Sequence, residues 1–245
     1  MSIHLISHLL FHCNFIKTVW FNFKMLPFSQ ARKLPIFIYR NVHFRDLSGK
    51  IIINNVKSGM VKIGRSYSYI ATSVPITVWT IRGRIVFNGP THFFHGTYVL
   101  VSDNGILTFG EKWITIGTGS KIICFDNITI GNRVAITWEC QIMDTSFHYI
   151  IENESSKVSS LTNKIIIGDH VWVGNRTTIS KGTVIPSESI VASNSLVNKD
   201  FTNAGSCCMI AGIPATIVKY GVKRVWDSKE ELELDKKFEY HRTLL

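Results

Sequence analysis

IIIGDHVWVGNRTTISKGTVIPSESIVASNSLVNKD, Ile165 to Asp200, carries Ile167, Val173, Ile179, Ile185, Val191 and Val197 at every sixth position without a slip. The residue four places after each of the first five is Val171, Thr177, Thr183, Ser189 or Ser195. An α-helix repeats near 3.6 residues and a flat strand near 2, so a period of six implies a short strand and turn used again and again. Each unit can bury its large aliphatic only against a neighbouring unit, and the chain therefore coils. Gly168 and Gly174 directly follow the first two aliphatics, where a missing Cβ permits a tight turn or positive φ, but Pro186 and Ala192 hold the equivalent places later. An ordinary parallel α/β sheet would need crossover helices, and this stretch has none.

Upstream, the same register is carried by Phe109, Ile116, Ile130, Ile136 and Ile142. Ile116 and Ile130 are two residues further apart than two hexads, which predicts a bulge near Cys124 to Asn127. Between Ile142 and Ile165 the period stops, and the polar run DTSFHYIIENESSKVSSLTN reads as a loop thrown out of the coil. Long loops on a rigid scaffold are disproportionately functional. Before residue 105 the aliphatic runs wander, as expected of degenerate early coils with a bulge around Pro90 to Gly96. Residues 1–28 read as an amphipathic helix through Leu5 and Leu9, ended by Pro27, and Gln30 to Arg45 as a connector. Ser228 and Glu231 offer a capping box for a C-terminal helix through Leu232 and Phe238. The expected division is a cap and connector over 1–45, a coil over 46–220 with a projecting loop at 143–164, and a helix within 221–245.

The chain has 245 residues and a formal charge of +10, which suits an anionic partner without naming one. Its basic residues are scattered and match no nucleic-acid-binding motif, so no nucleic-acid partner is expected. Five cysteines without CxxC spacing fit a reducing compartment, and a cytoplasmic protein is the default. No apolar run reaches the roughly 20 residues that span a bilayer, and peripheral membrane contact stays open.

The hexads resemble the hexapeptide repeat of the left-handed parallel β-helix, an all-β solenoid in which three hexads make the three sides of a prism. Parallel crossovers are otherwise right-handed in about 98% of cases, so the handedness is read from the resemblance, while helical caps at both ends are expected because solenoids need closed ends. VWVGNRTTISKGTVIPSESIVASNSLVNKD, followed by AGIPATIVKY, resembles the C-terminal signature of hexapeptide-family sugar O-acetyltransferases, which include galactoside, maltose and capsule or O-antigen enzymes. The resemblance implies a homotrimer, acetyl-CoA along the groove between neighbouring prisms, and a sugar acceptor, with a surface-polysaccharide precursor favoured.

The motif Asp144-Thr145-Ser146-Phe147-His148 resembles the place where that family keeps its catalytic histidine. An imidazole, with an ordinary pKa near 6.5, can take a proton from a sugar hydroxyl and return it to a departing thiolate. His148 is therefore the expected general base, with Asp144 orienting it or holding a substrate hydroxyl. Trp172, between Val171 and Val173, should point outward. The resemblance places it beside the pantetheine arm, with a backbone N–H of Gly174 or Asn175 at the thioester oxyanion. Ser193, Asn198 and Lys199 match further cofactor positions. Thr216 and Lys219 stand where arginine is frequent, and Lys219 can still pair with phosphate. Lys181 or Arg176 would substitute for the other.

Other readings stay open: a sugar N-acetyltransferase of the same fold, or a non-catalytic scaffold. A γ-type carbonic anhydrase would hold zinc on three histidines at subunit edges. Its paired histidines have no counterpart here, since His92 and His95 lie in poorly registered sequence and His170 stands alone, so no metal is expected.

Overall fold

The aliphatics that recur in the sequence stack at the centre of a three-sided coil. In a computed structural model, which describes residues 13–39, 41–66 and 75–239, Ile167, Val173, Ile179, Ile185, Val191 and Val197 are each at most 1% exposed. Val173 pairs with Val191 on one face, Ile179 with Val197 on a second, and Ile167 with Ile185 on a third. Three hexads thus make one turn, and each residue meets its counterpart a full turn later. Among the described residues the three faces hold nine, seven and six strands. All are parallel within a face except at the end of face one, where Cys208–Gly212 and Ala215–Tyr220 form an antiparallel hairpin.

The corners explain the rest of the hexad. His170, Arg176, Gly182, Glu188 and Asn194 all have positive φ, between 55° and 80°. The glycines after the aliphatics do not, which corrects one of the two reasons offered for them. A Cβ on Gly168 or Gly174 would lie 2.6 or 2.5 Å from the backbone nitrogen of Ser187 or Ser193 in the next coil. Close stacking of coils requires glycine there. Pro186 is accepted because its strand is the last of face three. Thr177, Thr183, Ser189 and Ser195 point inward at the corners, and Thr183 and Ser195 donate their hydroxyls to the carbonyls of Val197 and Ala192 at 3.0 and 2.7 Å.

The first coil begins at Ile36–Ile38, earlier than the boundary expected at residue 46, so the supposed connector is coil. Residues 90–96 hold a strand, Thr91–Phe94, that pairs in plain register with Ile114–Ile116, and the irregularity expected there falls on the preceding strand of face one, between Ile63 and Arg65. The extra two residues before Asn127 do sit at a corner, since Asn127–Ile130 pairs in plain register with Ile106–Phe109. The early coils hid their period because aromatics fill them. Phe109 stacks on Phe87 with ring centroids 5.1 Å apart, and Phe93 lies between Phe109 and Trp79 at 5.4 and 4.7 Å.

Helix α1, Phe15–Met25, lies along the open edge of face one. Thr18 and Asn22 on its inner side stand in for a missing strand. Asn22 donates to the Ile36 carbonyl at 2.7 Å and accepts from the Ile36 N–H at 3.1 Å, while the Thr18 hydroxyl accepts from the Ile38 N–H at 3.0 Å. An unpaired edge invites foreign strands, and these contacts close it. A second short helix, α2, spans Phe28–Ala31, beyond the predicted stop at Pro27. The N-terminal part of the expected helix, with Leu5 and Leu9, lies outside the described residues. Near the C-terminus, α3 spans Ser228–Lys237 and buries none of its residues. Its cap is Asp227, which accepts from the N–H groups of Lys229 and Glu230, so the expected cap at Ser228 is corrected by one residue.

Candidate functional site

The segment that interrupts the hexads leaves the coil at the corner between faces two and three, after Gln141–Met143 and before Ile165–Ile167. It is an arm. Ile150–Ile151 pairs antiparallel with Val158–Ser159, and a Thr145–Thr162 bridge closes its base. The ammonium of Lys181, one coil on, is inserted beneath that base, donating to the Ser146 hydroxyl at 3.0 Å and to the carbonyls of Ser160 and Leu161. His148 sits exposed on the outgoing limb, where the Ser146 hydroxyl donates to its carbonyl at 3.0 Å.

Asp144 has a different task from the one expected. Its side chain is fully buried, one oxygen accepting the Phe125 N–H at 2.7 Å and the other the Asp126 N–H at 2.8 Å. Burial raises its pKa, and the two backbone donors partly oppose the rise. The carboxyl group ties the arm's root to the corner of the preceding coil. It is spent there and does not orient the imidazole.

Trp172 does point out of the prism, on face one, while Val171 and Val173 are fully buried beneath it. It walls a cavity of about 270 Å³ together with Phe94, Trp113 and Trp138, over a floor that includes Thr115 and Ala135. The guanidinium of Arg224 crosses from the C-terminal segment, 5.9 Å from the Trp172 ring and 4.4 Å from the Trp226 ring. Sequence reading missed these partners. Trp138 stands two residues after a register aliphatic and could have been found as an outward corner residue, whereas Arg224 lies beyond the repeats and carried no signal.

The candidate cofactor residues divide into two groups. Gly174, Asn175 and Ser193 line the corner between faces one and two, close to Trp172, and the Ser193 hydroxyl donates to Asn175 Oδ1 at 2.6 Å. The Gly174 N–H donates to the Val191 carbonyl at 2.8 Å, so it is not available to an oxyanion, which corrects the Gly174 half of that assignment and leaves the N–H of Asn175 as its candidate. Asn198 and Lys199 lie instead on the arm's corner, between faces two and three, and are exposed. Lys219 and Thr216 are exposed on the final antiparallel strand of face one. Neither proposed substitute for a phosphate-binding arginine is idle: Lys181 holds the arm, and Arg176 Nε lies 2.7 Å from Glu139.

A second, more polar cleft of about 600 Å³ runs beside the arm. Tyr149, next to His148, and Ser160 line it with Arg82, Asp103, Asn104 and Asp126. Face one lies opposite the corner from which the arm springs, because that corner joins the other two faces. His148 and Trp172 of one chain therefore point away from each other. Among the described residues no group of three His, Cys, Asp or Glu side chains is placed to hold a metal ion.

No protein-family model matches the chain. It is 28% identical over 200 residues, 82% of this chain and 86% of the relative, to an uncharacterized 24.8 kDa protein in the cps region of Klebsiella pneumoniae. It is 24% identical over 123 residues to the putative lipopolysaccharide biosynthesis O-acetyl transferase WbbJ of Escherichia coli K12, a match that takes in 47% of this chain and 61% of WbbJ. The chain thus spans less than two thirds of that relative's length. Among solved structures it shares its fold with the polySia-specific acetyltransferase NeuO, with a TM-score of 0.56 and 23% identity over 83% of this chain and 84% of that one. The resemblance read from the hexads thus recurs both in sequence relatives and in a fold neighbour.

Proposed function

We propose that this chain, which shares its fold with an acetyltransferase and is similar over about half its length to a putative lipopolysaccharide O-acetyl transferase, moves an acetyl group from acetyl-CoA to a sugar hydroxyl, as a cytoplasmic enzyme of surface-polysaccharide synthesis. The observation that carries this is the placement of His148 on an arm rooted in a regular coil, beside a polar cleft. His148 accepts the proton of the sugar hydroxyl as that oxygen attacks the thioester carbonyl. The tetrahedral intermediate then collapses, the C–S bond breaks, and the proton passes to the departing thiolate of CoA. Asp103, Asn104 and Ser160 in the adjoining cleft have the hydrogen-bonding groups that a sugar needs.

The working unit is a homotrimer of left-handed prisms capped by helices, with a coil whose first described strand is Ile36–Ile38 and whose last is Ala215–Tyr220. The opposed directions of His148 and Trp172 support it: a threefold arrangement sets the arm of one prism against face one of the next. Asn198 and Lys199, on the arm's corner, then share a groove with the neighbour's Trp172, Asn175 and Ser193, and Lys219 supplies charge near its end. The donor lies in that groove. A monomeric mass by light scattering at micromolar concentration would refute this arrangement.

The direct test mixes the protein with acetyl-CoA and sugar acceptors and follows thiol release together with a mass gain of one acetyl group on the sugar. Saturating acetyl-CoA should also raise the melting temperature, since a ligand bound only by the native state adds about 2.7 kcal/mol at a hundredfold excess over its Kd. Trp172→Ala should reduce that shift. Neither transfer nor stabilisation by acetyl-CoA would leave a non-catalytic scaffold as the better reading.

A further inference from the structure

The outer side of α1 is aromatic where a cap facing water would be polar. Thr18, Phe21 and Asn22 turn inward, while Phe15, Ile16, Trp20 and Phe23 form a stripe on the opposite side and Phe28 of α2 extends it. Ile16 is 81% exposed and Phe28 71%, and the Phe23 and Phe28 rings meet edge to face at 5.9 Å, so the stripe is continuous across the two helices. Contiguous exposed apolar surface of this kind marks a docking site on a soluble protein.

The surrounding charge is one-sided. Residues 1–45 hold six Lys and Arg and not one Asp or Glu. Lys24 on α1, and Arg32 and Lys33 directly after α2, are exposed. Aromatic rings on one side of the helices, flanked by cations and with no acid in residues 1–45, complement a surface that is apolar within and negative at its rim. Among the described residues no helix is long and apolar enough to cross a membrane.

We propose that α1 and α2 dock the protein on an anionic phospholipid bilayer, with Trp20, Phe23 and Phe28 entering the headgroup region and Lys24, Arg32 and Lys33 pairing with lipid phosphates. Trp20 favours that depth because its apolar body meets acyl chains while its indole N–H stays wet, and the Phe23 and Phe28 rings add buried apolar area. Each cation near such a surface strengthens binding severalfold at moderate salt. The site is independent of the acetyl-transfer reading, since it lies at the end of the coil and uses none of the residues assigned to chemistry.

Co-sedimentation with vesicles tests it, using phosphatidylcholine alone and phosphatidylcholine mixed with phosphatidylglycerol. The full chain should pellet with the anionic vesicles and bind the neutral ones at least about tenfold more weakly, with affinity falling as salt rises. Trp20→Ala/Phe23→Ala and, separately, Lys24→Glu/Arg32→Glu/Lys33→Glu should each lose about tenfold or more in anionic-vesicle binding. All the charge-reversed positions are exposed, so that variant should keep the melting temperature of the wild type and guards against misfolding of the first. The proposal is overturned if the wild type stays in the supernatant with anionic vesicles, or if both variants bind as the wild type does. A concentration-dependent mass that disappears with Trp20→Ala/Phe23→Ala would overturn it too, giving the face to a second copy of this chain.

Discussion

Replacing His148 by alanine is expected to lower kcat about 10²–10⁴-fold while leaving the assembly and its stabilisation by acetyl-CoA intact, because the imidazole handles a proton and does not hold the donor. The side chain is exposed and its ring takes part in no described hydrogen bond, so its loss should not disturb the fold. A separate measurement locates the residue in the assembly. If the arm of one chain serves face one of the next, His148→Ala and Trp172→Ala damage different walls of each site. In a one-to-one mixture of the two variants, unfolded and refolded together, about a quarter of the sites combine an intact arm with an intact face. Activity should return to that fraction of wild type. Transfer by His148→Ala within threefold of wild type would remove the histidine from the mechanism, and no recovery on mixing would place both groups in one chain's site.

Asp144→Ala should cost about 2 kcal/mol of stability, because it removes the buried carboxyl that accepts the N–H groups of Phe125 and Asp126 and ties the arm's root to that corner. Had Asp144 oriented the imidazole, the loss would fall on kcat with the melting temperature unchanged. Urea midpoints for the wild type and Asp144→Ala separate the two. The pH dependence has a definite sign. Burial raises the native pKa above its unfolded value, so the native state holds this proton more tightly. The resulting stabilisation is complete below the unfolded pKa and is lost as pH rises through the native one. The gap between wild type and Asp144→Ala should therefore narrow as pH rises above the ordinary carboxyl value of about 4. A gap that widens over that range would mean that the native carboxyl is better stabilised as its anion.

The coil from Ile165 to Val197 was legible because each hexad contributes one aliphatic to one face, so its period survives in one dimension. Upstream, that regularity is broken in two physical ways. Corners between faces two and three take extra residues, as at Phe125 and Asp126, without disturbing pairing, which shifts the numbering but not the stack. Trp79, Phe87, Phe93 and Phe109 fill the early coils through ring contacts, a solution that no aliphatic period predicts. In the candidate site, the outward position of Trp172 followed from its neighbours Val171 and Val173. The task of Asp144 did not, since its partners are backbone N–H groups nearly twenty residues earlier, and a carboxylate beside a loop histidine looks the same in sequence whether it serves catalysis or a corner.

Coil stacking also sets a height. The arm follows the fifth strand of face two, four steps above the coil that α1 closes, and at a strand spacing of about 4.8 Å those steps amount to about 19 Å. A protein resting on lipid through α1 would hold the root of the His148 arm at least that far above the headgroups. A sugar attached directly to a lipid would lie beneath its reach, whereas a glycan extended by several units would rise past it. The number of coils between the docking face and the arm then acts as a gauge that selects acceptors by how far they have grown.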